Sequence, residues 1–156
     1  THPDLTAEYA VGTGDPDRTS VTNTLGGNLK GKDRNFLPFG VYPAGSALAP
    51  ALSNIQILKA GASVRPLERW WRFRAFSMGA EGYSYWKDET RGGIYDVDAT
   101  EKAREIGREL DAYVRWPLAS DLILYSRYAV FFPGNAYPLG TNDPEHYFSL
   151  SLTFSF

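Results

Sequence analysis

The segment Tyr147-Phe-Ser-Leu-Ser-Leu-Thr-Phe-Ser-Phe156 carries the strongest signal for the fold of this chain. Its residues alternate between polar and apolar without a break, which is the period of a β-strand with one apolar and one polar face. A strand of about 10 residues is long enough to cross a bilayer when it is tilted. We therefore interpret the stretch as the closing strand of a transmembrane β-barrel, the alternative being a soluble sandwich or a lipocalin-like barrel. The apolar row that carries this barrel signal consists of Phe148, Leu150, Leu152, Phe154 and Phe156.

The composition narrows the class of protein. The chain has 156 residues, which suits one domain, and it has no cysteine, which excludes disulfides and thiolate metal sites. Aromatic residues make up 15% of the chain, and the rings of Tyr and Trp favour membrane interfaces and sugar-binding surfaces. The net charge of −2 argues against a nucleic-acid partner, because nucleic-acid binders are usually basic. No apolar run approaches the length of a transmembrane helix.

Alternation of the same kind predicts six strands, at residues 4–12, 54–65, 69–86, 107–116, 121–132 and 147–156. The connections at 13–53, 87–106 and 133–146 are long, whereas those at 66–68 and 117–120 are tight turns. Outer-membrane barrels are built in this way, with short periplasmic turns and long extracellular loops. The sequence therefore predicts an all-β fold, an antiparallel transmembrane β-barrel in the outer membrane of a Gram-negative bacterium. Residues 1–156 are expected to form part of a single barrel domain.

The polar face of the predicted strands is expected to line the lumen. The candidate pathway residues on this face are Lys59, Arg65, Arg72, Arg74, Arg115, Arg127, Glu109, Asp111, Tyr113 and Tyr125. Bases outnumber acids in this set even when Glu8 is added, so we expect a lumen lined by arginines that favours anions. The alternative is that these side chains only pair with one another across neighbouring strands of the barrel wall.

Aromatic residues cluster at the ends of the predicted strands. One group beside the short turns consists of Trp70, Trp71 and Trp116. A second group near the long loops consists of Tyr83, Tyr85, Trp86, Phe131 and Phe132. Two aromatic girdles are typical of membrane barrels, one at each interface. We therefore predict that these residues lie at the periplasmic and the outer rim.

Signals for catalysis are weak. His146 and Ser149 are three residues apart and point to opposite faces of a strand, so they cannot form a dyad. Glu109 and Asp111 share a face, but their spacing suits salt bridges as well as acid–base chemistry. We therefore predict that the protein is not an enzyme.

No cofactor is expected, and only one kind of metal site has any support. The loop segments 15–17 and 142–145 carry oxygen ligands of the type that calcium prefers. Turn formation by Asp, Asn and Pro accounts for both segments equally well.

Four segments, at 5–15, 52–66, 106–116 and 121–137, carry a resemblance to a known family. The most specific part is Gly107-Arg-Glu-Leu-Asp111, followed by a strand and then by Phe131-Phe-Pro-Gly134. These segments resemble the C-terminal part of the alginate-export family of outer-membrane porins. The resemblance implies a channel for an anionic polysaccharide such as alginate, or for a small anion. By the same resemblance, the pathway residues are Arg72, Arg74, Arg115 and Arg127.

The resemblance also implies partners, because barrels of this family have many more strands than the six predicted here. Six tilted strands cannot close a barrel around a lumen, and an open edge in lipid leaves backbone groups unsatisfied. We therefore expect the remaining strands to come from a missing N-terminal part or from another chain, and outer-membrane lipid to surround them. An alternative function is a barrel segment that scaffolds an outer-membrane protein complex. The loop 13–53 either folds into the lumen or covers it from outside.

Overall fold

The computed structural model describes residues 3–18, 20, 21, 28 and 30–156. Six strands form one antiparallel sheet in which sequence neighbours pair in order. They are β1 (Asp4–Gly12), β2 (Ile55–Val64), β3 (Ser77–Lys87), β4 (Glu105–Pro117), β5 (Leu122–Pro133) and β6 (Glu145–Phe154). The predicted all-β antiparallel class is confirmed, and β1 and β6 are the open edges of the described sheet. Within these residues no helix is long and apolar enough to cross a membrane.

The connections define two ends of the sheet. The long connections 13–54, 88–104 and 134–144 lie at one end, which we call the loop end. The connections 65–76 and 118–121 lie at the opposite end, which we call the turn end. The predicted sorting of connections by length holds only in part, because 65–76 is comparable in length with 134–144.

The predicted strand at 69–86 is wrong over its first half. Trp71–Phe73 forms a 3-10 helix, and β3 begins only at Ser77. The backbone N–H groups of Trp70, Phe73 and Phe76 donate to carbonyls three residues earlier, each at 2.9 Å. Such successive tight turns follow Pro66, which lacks the N–H that a strand ladder needs. The expected tight turn at 66–68 is therefore part of the longer connection 65–76.

This irregular segment also resets which side chains share a face. In a strand that ran without a break from Trp71, the side chains of Glu81, Tyr83 and Tyr85 would lie on the same face as that of Trp71. In the structure the register pairs Glu81 with Asp111 and Tyr83 with Glu109 across β3 and β4. All four side chains therefore belong to the polar face of the sheet.

The other face of the sheet is apolar and largely exposed. Leu5 on one edge strand is 78% exposed, and Leu150 on the other is 62% exposed. The register places one row of alternating side chains from each of the other four strands on this same face. Large exposed side chains from all six strands form it, among them Tyr9, Leu58, Met78, Leu110, Tyr128, Phe132, Phe148, Leu152 and Phe154.

The core lies at the loop end, between the polar face and the loops that fold over it. Tyr85 and Phe131 are fully buried, and Tyr83 is 4% exposed. The prediction that these three residues belong to an outer aromatic girdle is wrong, because buried side chains beneath the loops cannot contact a membrane. Trp86 and Phe132 lie near the same end on the apolar face. The remaining core residues include Ala44, Ile55, Ile57, Ile94, Ile106 and Tyr137.

Candidate functional site

Four charged side chains form a ladder across the middle of the polar face. Lys59 on β2 pairs with Glu81 on β3, with 2.8 Å between Nζ and Oε1. Arg127 on β5 pairs with Glu81 at 3.5 Å and with Asp111 on β4 at 3.3 Å. The ladder is pairing across neighbouring strands, which was the alternative to a pathway role for Lys59, Asp111 and Arg127. Sequence reasoning missed Glu81 because the predicted strand at 69–86 had the wrong phase.

Two tyrosines hold the guanidinium group of Arg127. Its Nε donates to the hydroxyl of Tyr125 at 2.7 Å. The guanidinium carbon lies 5.4 Å from the ring centroid of Tyr113 and 5.7 Å from that of Tyr125, a distance typical of cation–π contacts. Tyr113 can lie over β3 only because residue 79 is glycine, where a Cβ atom would come within 2.6 Å of its ring.

A short piece of the first loop is bound directly to this face. We call residues 42–48 the latch segment. The carboxylate of Glu109 accepts hydrogen bonds from the backbone N–H groups of Ser46 at 2.5 Å, Ala47 at 2.6 Å and Leu48 at 3.2 Å. It also accepts one from the Tyr85 hydroxyl at 3.0 Å. Hydrogen bonds to a charged acceptor are stronger than neutral ones, so Glu109 is the main anchor of the latch segment.

The side chain of Ser46 joins the latch segment to the charged ladder. Its hydroxyl donates to Asp111 at 2.9 Å and accepts a hydrogen bond from Nη1 of Arg127 at 3.0 Å. At the edge of the sheet, the hydroxyl of Tyr42 donates to Glu8 at 2.5 Å. Burial and this hydrogen bond to the Glu8 carboxylate raise the pKa of Tyr42 to about 12.

Gly45 is required where the latch segment meets the wall. Its φ of +60° lies in the left-handed region that favours glycine. A Cβ atom here would come within 2.2 Å of the Tyr85 hydroxyl and 2.4 Å of the Glu109 carboxylate. Any larger residue would therefore push the latch segment off the polar face.

The arginines predicted for the pathway do not share one surface. Arg65, Arg72 and Arg74 are exposed in the connection 65–76 at the turn end, not on the polar face of a strand. The expected excess of basic charge is therefore absent from the polar face of the six described strands. Its acids are Asp4, Glu8, Glu81, Glu109, Asp111 and Glu145, and its bases are Lys59, Lys87, Arg115 and Arg127.

Between the charged ladder and the turn end, the polar face is rich in hydroxyl groups. Arg115 lies on this part of β4 and is exposed. Among the described residues its side chain makes no hydrogen bond or ion pair, so its charge is available to a ligand. Around it are Ser63, Ser77, Tyr113, Tyr125, Ser149, Ser151 and Thr153. Hydroxyl groups together with an available guanidinium suit a hydroxyl-rich ligand that carries carboxylates.

Two buried polar side chains, Asn54 and Lys87, act as hydrogen-bonding hubs for the loops. The amide of Asn54 donates to the carbonyls of Glu89 at 3.0 Å and Gly93 at 2.9 Å, and its oxygen accepts from the N–H of Glu89 at 2.7 Å. Lys87 is 2% exposed, and its Nζ donates to the carbonyls of Ala99 and Glu101, both at 2.8 Å. These contacts fasten the connections 13–54 and 88–104, which we call the first and third loops, to the sheet.

The two loop segments suggested for calcium remain a prediction. The carboxylate of Asp15 accepts hydrogen bonds from the backbone N–H groups of Asp17 at 2.9 Å and Arg34 at 3.1 Å. That arrangement is the turn formation expected of aspartate. In the described part of the chain, no group of three His, Asp or Glu side chains is placed to hold a metal ion.

His146 and Ser149 lie on opposite faces of β6, as their spacing requires. His146 is on the apolar face, where its Nδ1 lies 2.7 Å from the hydroxyl of Tyr128. The two acids considered for acid–base chemistry also have partners in the wall. Glu109 binds the latch segment, and Asp111 binds Ser46 and Arg127.

The chain matches a known protein family. The family model described as "Alginate export" matches residues 1–150. No curated protein matches the chain significantly.

Proposed function

Because this chain belongs to the alginate-export family, we propose that it forms part of the wall of an outer-membrane channel for an anionic polysaccharide such as alginate. The observation that carries the proposal is the division of the sheet into an exposed apolar face and a polar face with a charged ladder. Soluble monomers rarely expose an apolar patch of more than a few hundred Å². In a bilayer, the same face is covered by lipid tails.

The hydroxyl-rich part of the polar face is the proposed path of the polysaccharide. Sugar hydroxyls can exchange hydrogen bonds with serine and tyrosine hydroxyls in turn as the chain moves. Arg115 supplies a cation for the carboxylates, while Arg127 is occupied by Glu81 and Asp111. We therefore assign direct contact with the polysaccharide to Arg115, and we assign a wall-stabilising role to Arg127 and Lys59.

The latch segment narrows this path at the loop end. It is held by backbone N–H groups on Glu109 and by Ser46 on Asp111, so it is seated on the wall instead of extending away from it. In this proposal a polysaccharide passes the latch segment before it leaves the channel. Displacement of the latch segment widens the path.

Further strands complete the wall in this proposal. The backbone groups along the outer edges of β1 and β6 have no strand partner within the described sheet. A backbone N–H or C=O group that lacks a hydrogen bond in lipid costs roughly several kcal/mol. Additional strands, from the same polypeptide or from another chain, pair with both edges.

Planar-bilayer recording of the purified protein tests the proposal. Under a salt gradient, we expect a stable current that oligouronates reduce and that neutral oligosaccharides of equal length do not. The Arg115→Gln variant should weaken the block by uronate more than Arg104→Gln, a change at an exposed arginine of the loop end. A protein that inserts into the bilayer without current would contradict the proposal and favour the scaffold function.

A further inference from the structure

The connection 65–76 at the turn end is strongly basic and aromatic. Its stretch Arg65-Pro-Leu-Glu-Arg-Trp-Trp-Arg-Phe-Arg74 carries four arginines and a single acid, Glu68. All four arginine side chains are exposed. Trp70 and Trp71 are also exposed, by 64% and 82%. We call residues 65–74 the basic–aromatic patch.

Aromatic stacking fastens this patch to the apolar side of the sheet. Phe73 stacks on Trp116, with 4.9 Å between ring centroids, and Phe76 meets the same indole edge-on at 6.2 Å. Trp116 pairs with Leu124 in the row of β4 that also contains Leu110 on the apolar face. The patch is therefore continuous with the apolar face and does not belong to the polar path.

The exposed rings and charges are held in place by short-range contacts. Trp70 packs edge-on against Phe73 at 6.2 Å, and the guanidinium carbon of Arg72 lies 5.5 Å from the ring centroid of Trp71. The turns of the 3-10 segment fix the backbone below them. The result is a pair of exposed indole rings, with the guanidinium group of Arg72 beside Trp71, at the margin of an apolar surface.

We propose that the basic–aromatic patch is a binding site for the phosphate headgroups of anionic phospholipids in the membrane leaflet at the turn end. This inference rests on the membrane-spanning part of the proposed function, and it is independent of the polysaccharide. Indole rings settle at the headgroup level of a bilayer, and clustered arginines beside a membrane attract anionic lipids. Guanidinium groups bind phosphate oxygens through paired hydrogen bonds. Arg72 and Arg74 thus serve the lipid contact and not the transport path.

Lipid-quenching fluorescence tests the site in the reconstituted protein. The Trp86→Phe background leaves Trp70, Trp71 and Trp116, all at the turn end, as the tryptophans that report. Quenching by brominated phosphatidylglycerol is compared with quenching by brominated phosphatidylcholine, which gives the preference for the anionic lipid. In this background, Arg69→Gln with Arg72→Gln should lower the preference about three- to tenfold. Arg104→Gln with Arg108→Gln, a matched pair of exposed arginines at the loop end, should leave it unchanged.

Two further measurements keep the test decisive. Raising the salt concentration with the unaltered arginines should reduce the preference, because exposed charges are screened. Arg65→Gln with Arg74→Gln should reproduce the loss, which guards against an effect of one poorly folded variant.

An unchanged preference in both turn-end variants would overturn the site, as would an equal loss in the loop-end control. Loss of uronate block with an intact lipid preference would also overturn it, because the patch would then bind the polysaccharide. If the protein prefers anionic lipid through these arginines but uronate does not block the current, the lipid site is supported and the proposed substrate is contradicted.

Discussion

The two ends of the sheet use charged and polar side chains in opposite ways. At the loop end three such side chains are buried, and Asn54, Lys87 and Glu109 each bind several backbone groups of the loops. At the turn end the arginines and the two indole rings of the basic–aromatic patch are exposed. Buried polar groups with full sets of partners specify one loop arrangement. Exposed groups contribute little to folding and are available to a ligand.

This contrast separates stability from interaction. Substitutions of the buried polar residues at the loop end should change the free energy of unfolding, and those that contact the latch segment should also change its position. Substitutions at the turn end should leave folding unchanged and alter lipid contact. Variants matched in residue type across the two ends therefore provide the sharpest tests.

The largest effect is expected for Asn54→Ala. The change leaves two carbonyls and one N–H group of the third loop without their partner in a buried site. We expect a loss of about 2–4 kcal/mol in the free energy of unfolding. Denaturant titration in detergent micelles measures it, with Asn142→Ala at an exposed loop position as the control. Equal stability of the two variants would show that Asn54 is not a hub.

Arg127→Gln should cause the next largest loss of stability, because it leaves Glu81 and Asp111 with one fewer cation in a half-buried site. We expect a loss of about 1–3 kcal/mol, reduced from the fully buried case by partial exposure. Arg115→Gln on the same face should cost less than about 0.5 kcal/mol. The same titration checks both, and a larger loss for Arg115 would reverse the roles assigned to the two arginines.

Gly45→Ala should displace the latch segment. Gly40 provides the matched control, since its φ of +88° is also left-handed but a Cβ atom there has nothing within 4 Å. Each alanine costs about 1 kcal/mol of backbone strain, and only Gly45→Ala adds a clash with Tyr85 and Glu109. We expect higher single-channel conductance for Gly45→Ala alone. If proteolysis shows a released loop while conductance is unchanged, the latch segment does not narrow the path.

The smallest effect on stability is expected at Trp71. Its ring is 82% exposed, so Trp71→Ala should change the free energy of unfolding by no more than about 0.5 kcal/mol. Thermal unfolding monitored by circular dichroism measures the change. A loss comparable with that of Asn54→Ala would mean that the turn end is a second folding core, and the contrast between the ends would fail.

The sequence predicted the strands where alternation was unbroken and failed in the segment 69–76, before β3. The observed ends of β1, β2, β4, β5 and β6 fall within two residues of the predicted ends. Trp70-Trp71 looked like the start of a strand, yet its neighbours form a 3-10 turn that stacks on Trp116. That stacking joins residues distant in sequence, so local periodicity could not reveal it.

Half of the candidate site was also predictable. Glu109, Asp111, Arg127 and the two tyrosines beside Arg127 were placed on the polar face from period two alone. The latch segment was not, because its contacts with Glu109 join residues more than 60 positions apart and use backbone N–H groups that carry no sequence signal. Gly45 was the available clue, but glycine is common in loops and turns of every kind and does not by itself indicate a close contact.

In the proposed channel wall, one face of the sheet contacts lipid and the other contacts water. The chain has no cysteine, so single cysteines can be introduced along β6 and exposed to a charged, water-soluble thiol reagent in vesicles. We expect the reagent to label Ser149→Cys and Ser151→Cys, and we expect Leu150→Cys and Leu152→Cys to be protected. Equal labelling of both rows would contradict this arrangement.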